Sequence, residues 1–195
     1  HPGPVAQFTI NRQYGCAPDT FVFTNISYNA DSYRWLTDGN FTTTNLNRND
    51  TIILADSQSV LISLIASSPD GCPNDTTEMV IGTALDPIAS YTVSPDTGCG
   101  PMDAVFTNTS DFASTYFWDF GNGQTATVTD TTVRYVQAAQ NDTTYNVQLI
   151  AFNWLGCSDT TTGNTLVHPD PVVDFTQSDM ANCGPLSVTF TNTSV

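Results

Sequence analysis

Nearly every conspicuous residue in this chain recurs after 83 to 85 positions, and that period constrains the fold more than any other feature. Cys16, Cys99 and Cys183 form one series, Pro4, Pro87 and Pro171 a second, and Phe23, Phe106 and Phe190 a third. Trp35 with Trp118 and Cys72 with Cys157 repeat in the same way. The string "FTNTSD" at Phe106–Asp111 returns as "FTNTSV" at Phe190–Val195 and stands in looser form, "FTNISY", at Phe23–Tyr28. A repeat of about 84 residues restricts the chain to a file of similar modules. The predicted organisation is one domain over 1–85, a second over 86–169 and the start of a third over 170–195. "HPGPVAQF" at the start echoes "HPDPVVDF" at His168–Phe175, so the segment is expected to open at a repeat joint and close in mid-repeat, as part of a longer array.

Within one repeat the apolar residues alternate with polar ones, the pattern of half-buried strands. Ile88–Ser94, Asp103–Ser110, Ser114–Phe120 and Thr143–Asn153 all read this way, and a last strand is expected near Thr162–Val167. Gly121-Asn122-Gly123 and Gly156 supply turns between them. Roughly seven strands per repeat at this spacing suit a β-sandwich. Composition agrees: thirty-one threonines, no lysine and the single Glu78 leave few helix formers and many strand formers. An all-β fold is predicted.

A net charge of −15, with Arg12, Arg34, Arg48 and Arg134 as the only Lys or Arg residues, argues against nucleic acid as a partner and against an anionic lipid surface. No run approaches the roughly 20 apolar residues of a membrane span. There is no initiator Met and no signal peptide, so any export signal is expected outside this segment. His1 and His168 are the only histidines. Neither a Gly-x-Ser-x-Gly elbow, a phosphate loop nor a zinc-binding His pair occurs, and no catalytic residues are predicted.

The string "YFWDFGNGQT" at Tyr116–Thr125, preceded by "GCGPMDAVFTNTS" and followed by "TYNVQLIAFNWLG", resembles a polycystic-kidney-disease (PKD) domain, an immunoglobulin-like β-sandwich. With its cysteines in "GCGP" and "GCSDT", the chain is similar to the tandem PKD arrays of Bacteroidota surface and secreted proteins, gliding and adhesion proteins among them. The first copy departs from the signature: "YRWLTDGN" keeps Trp35, Asp38 and Gly39 but has Leu36-Thr37 in place of Asp-Phe. The resemblance implies all-β tandem sandwiches at the cell surface, forming a structural segment of a long extracellular fibre or adhesin stalk. Its expected partners are neighbouring repeats and identical chains in a filament. The alternative is a set of glycan- or protein-binding accessory modules of a secreted hydrolase. Trp35 and Trp118 are expected in the sandwich cores. Trp154, at a hairpin tip where the first copy has Pro69 or Asp70, is either a sugar-stacking side chain or an ordinary exposed aromatic.

Five cysteines in such an exported chain imply disulfides, and no Cys-x-x-Cys or His-rich spacing suggests zinc. Two connectivities remain open. Pairing within a copy gives Cys16–Cys72 and Cys99–Cys157. In an immunoglobulin-like sandwich, however, these positions lie at opposite ends, more than about 20 Å apart for strands of about seven residues, whereas a disulfide tolerates a Cα separation of about 7 Å. Stacking copies end to end favours Cys16–Cys157, with Cys72, Cys99 and Cys183 bonded to repeats outside this segment.

Asp-Thr pairs resembling Bacteroidota O-glycosylation sites place candidate acceptors at Thr51, Thr76, Thr131, Thr143 and Thr160. The Asn-x-Ser/Thr positions Asn25, Asn108 and Asn192 are expected instead to end the second strand through side-chain hydrogen bonds. No metal site is predicted. The Asp-rich turns read as solvated carboxylates, with a calcium ion at Asp119 and Asn122 as the alternative reading.

Overall fold

The computed structural model describes residues 2–43, 49–69, 71–136, 141–178, 184, 185 and 187–195, with 40–43 and 49 described by their backbone alone. Cys183, His1 and Asp70 lie outside the described residues. Among the described residues every regular element is a strand, and no helix is long and apolar enough to cross a membrane.

The first copy contains β1 (Phe8–Ile10), β2 (Tyr14–Cys16), β3 (Asp19–Asn25), β4 (Ser32–Thr37), β5 (Asn40–Thr43), β6 (Asn49–Leu54), β7 (Ser59–Ser67) and β8 (Asp75–Ala84). The second repeats them as β9 (Tyr91–Ser94), β10 (Thr97–Cys99), β11 (Met102–Asn108), β12 (Thr115–Asp119), β13 (Thr125–Ala126), β14 (Thr131–Tyr135), β15 (Thr143–Phe152) and β16 (Ser158–His168). A short antiparallel pair, β17 (Phe175–Gln177) and β18 (Phe190–Asn192), follows.

Each copy forms a three-stranded and a five-stranded sheet, in orders β1-β3-β6 and β2-β8-β7-β4-β5, then β9-β11-β14 and β10-β16-β15-β12-β13. The expected seven strands become eight because the first is divided. β1 pairs antiparallel with β3 in one sheet, and after a short link β2 pairs parallel with β8 in the other. β9 and β10 do the same with β11 and β16. Alternation cannot reveal such a switch, since β2 and β10 have only three residues each, with a glycine facing inward, and carry too little apolar pattern.

The alternating residues build two separate cores. In the first copy Phe21, Phe23, Trp35, Ile62, Leu64 and Ile81 are buried, and Phe8 packs on both Phe23 and Trp35. In the second, Trp118 lies among Phe106, Phe120, Tyr91 and Leu149. Trp35 is 2% exposed and Trp118 fully buried. Trp118 also donates its indole N–H to the Val128 carbonyl at 3.0 Å. In the first copy the corresponding position, Asn45, lies outside the described residues.

The chain divides into two compact units that do not follow the sequence period. One comprises His1–Ala89, Ser110–Thr115 and Ile150–Thr160. The other comprises Ser90–Thr109, Tyr116–Leu149 and Thr161–Val195, and it contains the second core. The first unit therefore takes in the loop end of the second copy, where β15 turns into β16.

Candidate functional site

Within the first compact unit, the end of β2 and the β15–β16 loop are joined covalently. Cys16 and Cys157 form a disulfide with a Cα separation of 5.9 Å across 141 residues of sequence. Neither Cys16–Cys72 nor Cys99–Cys157 therefore forms. Cys72 is a half-buried free thiol and Cys99 an exposed one; Cys183 lies outside the described residues. Parallel pairing with β8 sets Cys16 opposite Ala84, at the last residue of both strands, so its side chain stands at the rim of the sheet. An Asp86 carboxylate oxygen lies within 4.8 Å of both sulfurs. Since those sulfurs are bonded to each other, this cluster offers no thiolate to a metal.

Asn153 organises the opposite side of the bond. Its buried Oδ1 accepts hydrogen bonds from the Leu155 and Cys157 N–H groups at 2.9 and 3.0 Å, which closes the loop, while Gly156 takes a φ of 86°. Its Nδ2 donates to the Leu85 carbonyl at 2.9 Å. One amide side chain thus shapes the loop that carries Cys157 and ties it to the segment after β8. Sequence reasoning missed this residue; an Asn four positions before a loop Cys, ahead of a Gly, is the signal that pointed to it.

Beside the bond lies an open cleft of about 210 Å³ lined by Ser57, Ala84, Leu85, Phe112, Asn153 and Trp154. Trp154 is 69% exposed, and its ring meets Tyr14 edge-on at 6.1 Å between centroids. Phe112 is 57% exposed and has a φ of 56°, a region that bulky residues rarely enter. Three aromatic rings thus meet water at one place.

The Asp residues of the five Asp-Thr pairs are all engaged in the fold. Asp75 accepts from the Ala6 N–H and Asp159 from the Ala89 N–H, each at 2.8 Å, so in both copies the carboxylate before the last strand holds the start of the copy. Those bonds, from Ala89 first and then from Thr160, hold the Asp159 carboxyl below its ordinary range. Asp130 accepts from Asn108 N–H, Asp50 from Thr51 N–H, and Asp142 contacts His168 Nδ1 at 2.8 Å. Thr51, Thr76 and Thr160 are exposed, whereas Thr131 and Thr143 are half-buried.

At the calcium candidate, Asp119 Oδ1 accepts from Gly121 N–H and Asn122 Oδ1 from Gln124 N–H, at 2.9 and 3.0 Å, so both oxygens shape the β12–β13 turn. Asn25 and Asn192 accept from the N–H groups of Ser27 and Ser194 just beyond their strands.

No family model matches the chain, and no curated protein sequence matches it. Solved structures do match. The PKD1 domain of the Vibrio cholerae metalloprotease PrtV is 30% identical over 43% of this chain and 98% of that domain, with a TM-score of 0.35. The PKD1 domain of Vibrio anguillarum Epp is 26% identical over 44% of this chain and 96% of that domain, also with a TM-score of 0.35. The N-terminal eight Ig domains of Down Syndrome Cell Adhesion Molecule match 92% of this chain at 14% identity and a TM-score of 0.61. This chain covers 26% of that one. At that identity the likeness shows the fold alone: the sheets are those of immunoglobulin-like β-sandwiches.

Proposed function

We propose that this chain is a structural segment of an extracellular repeat protein, a fibre or adhesin stalk of PKD-type sandwiches like those of Bacteroidota cell surfaces. The observation that carries this reading is the Cys16–Cys157 bond, because its two cysteines come from successive copies of the repeat. Repeated along an array, the same bond would link Cys99, Cys72 and Cys183 to neighbouring copies and limit bending at each joint. Disulfides persist outside the reducing cytosol, which supports an extracellular setting. The roles found for the residues are packing, latching and cross-linking, and the chain works as an assembled body without a reaction of its own. Glycan on Thr51, Thr76 and Thr160, the exposed candidates, would shield the surface.

Electron micrographs of the native material test this directly. A continuous fibre with an axial spacing of one repeat is expected, and dispersed monomers would sink it. The second reading, accessory modules of a secreted hydrolase that bind glycan or protein, is favoured by one observation: the exposed cluster of Tyr14, Phe112 and Trp154.

A further inference from the structure

The cleft beside the Cys16–Cys157 bond carries two costs that the fold itself does not explain. Phe112 holds a left-handed backbone, and its ring remains more than half exposed. The equivalent residue of the first copy, Asn29, has a φ of 57°, but asparagine enters this region far more readily. A bulky side chain is strained in that conformation, and such strain collects at ligand clamps. Trp154 is the second cost: a large aromatic ring, 69% exposed, at a tip where the first copy turns with Pro69 and Gly71. Both residues line the same cleft, and Tyr14 stands edge-on to Trp154.

The charge around the cleft selects the occupant. Ser57, Leu85 and Phe112 each have an exposed aspartate as their immediate neighbour, in Asp56, Asp86 and Asp111. Among the described residues none of these three is in an ion pair; Arg12 and Arg134 are matched to Asp19 and Asp103. Aromatic faces backed by unmatched carboxylates attract a cation, by the ring quadrupole and by simple Coulomb attraction, and repel an anion. Size narrows the choice further. A cleft of about 210 Å³ is smaller than the roughly 300–1,000 Å³ of small-molecule sites, and suits the head of one side chain better than an oligosaccharide.

We propose that the cleft of Phe112 and Trp154, with Tyr14 beside it, binds a lysine side chain presented by another protein. A second copy of this chain has no lysine to offer. The site stands whether the chain is a stalk or an accessory module, so its failure would leave that reading untouched.

The intact, oxidised protein is titrated with the peptide acetyl-Gly-Gly-Lys-Gly-Gly-amide while the indole N–H resonances are followed by NMR. The Trp154 resonance, identified by its loss in Trp154→Ala, is expected to move. Acetylating the lysine, raising the salt to 1 M, or introducing Trp154→Ala (read then at the backbone amide of Leu155) should each weaken binding at least about fivefold. Phe112→Asn should bind as weakly as Trp154→Ala yet melt no lower than the parent, since it removes the ring and relieves the backbone. Equal binding of the acetylated peptide would overturn the proposal. So would a neutral oligosaccharide binding as tightly at the same resonance, or a Phe112→Asn variant that melts lower and binds unchanged.

Discussion

Where the first copy places Asn29 in the left-handed region and turns through Pro69 and Gly71, the second places Phe112 and Trp154. The cores differ too, by a different logic. The strand register aligns Leu54 of the first copy with Tyr135 of the second, and Ile81 with Thr165. All four are buried, so an apolar pair in one core is a polar pair in the other. On the outer face, Thr20 and Ile53 give way to Asp103 and Arg134, which form an ion pair at 3.2 Å. What the copies share is the divided first strand, the core tryptophan and the aspartate latch. The two kinds of exchange differ: in the core the Tyr135 hydroxyl stays buried and donates to the Phe120 carbonyl at 3.1 Å, while the exchanges at the loop end expose apolar surface.

The largest effect is expected from cutting the bond that sets the second copy's loop end apart. Replacing both Cys16 and Cys157 by Ser opens a 141-residue loop, and the chain-entropy estimate puts the loss near 5 kcal/mol. Denaturant unfolding of the oxidised parent against the double variant measures it, and coincident curves would refute the estimate. Next come the two tryptophans. Truncating a buried Trp to Ala costs about 3–5 kcal/mol, and Trp118→Ala should cost more than Trp35→Ala because Trp118 also stacks on Phe120 and bonds Val128. Equal losses in calorimetry would erase that distinction between the cores.

A smaller effect is expected from Tyr135→Leu, which gives the second core the residue of the first. Burial pushes the Tyr135 phenol up to about 12, whereas an unfolded tyrosine ionises near 10. The stability it brings is complete below pH 10 and is lost as pH rises towards 12. The variant should lose about 1 kcal/mol at pH 7 and no longer weaken across that alkaline window, as melting temperatures from pH 9 to 12 will show. Phe112→Asn should gain about 0.5–1 kcal/mol by relieving a strained backbone, read as a higher melting temperature. The slightest effect belongs to Asp159→Ala. Because the native carboxyl titrates below its ordinary value, its contribution is complete above about pH 4 and is lost as pH falls through the lower folded value. The variant should show a flatter acid limb between pH 5 and 2, and an unchanged limb would dismiss the latch.

The period and the all-β class were legible because they rest on local signals: alternation, turn glycines and recurring landmarks such as Trp35 and Trp118. The divided first strand was not, since β2 and β10 have only three residues each, with a glycine facing inward, and carry too little apolar pattern to mark a change of sheet. Asp75 and Asp159 resembled modification motifs in the sequence, and their contacts with Ala6 and Ala89, 69 and 70 residues away, have no local mark. Phe112 escaped notice for the opposite reason. Nothing about a phenylalanine announces a positive φ, and only the backbone reveals it.

β2 runs parallel to β8, and β10 parallel to β16, so the early and last strands of each copy lie side by side with the same heading. A pull on the two ends of a copy would drag these neighbours past each other along their length. Their hydrogen bonds would then be sheared together and could not be peeled apart in sequence, the loading geometry in which a short ladder holds best.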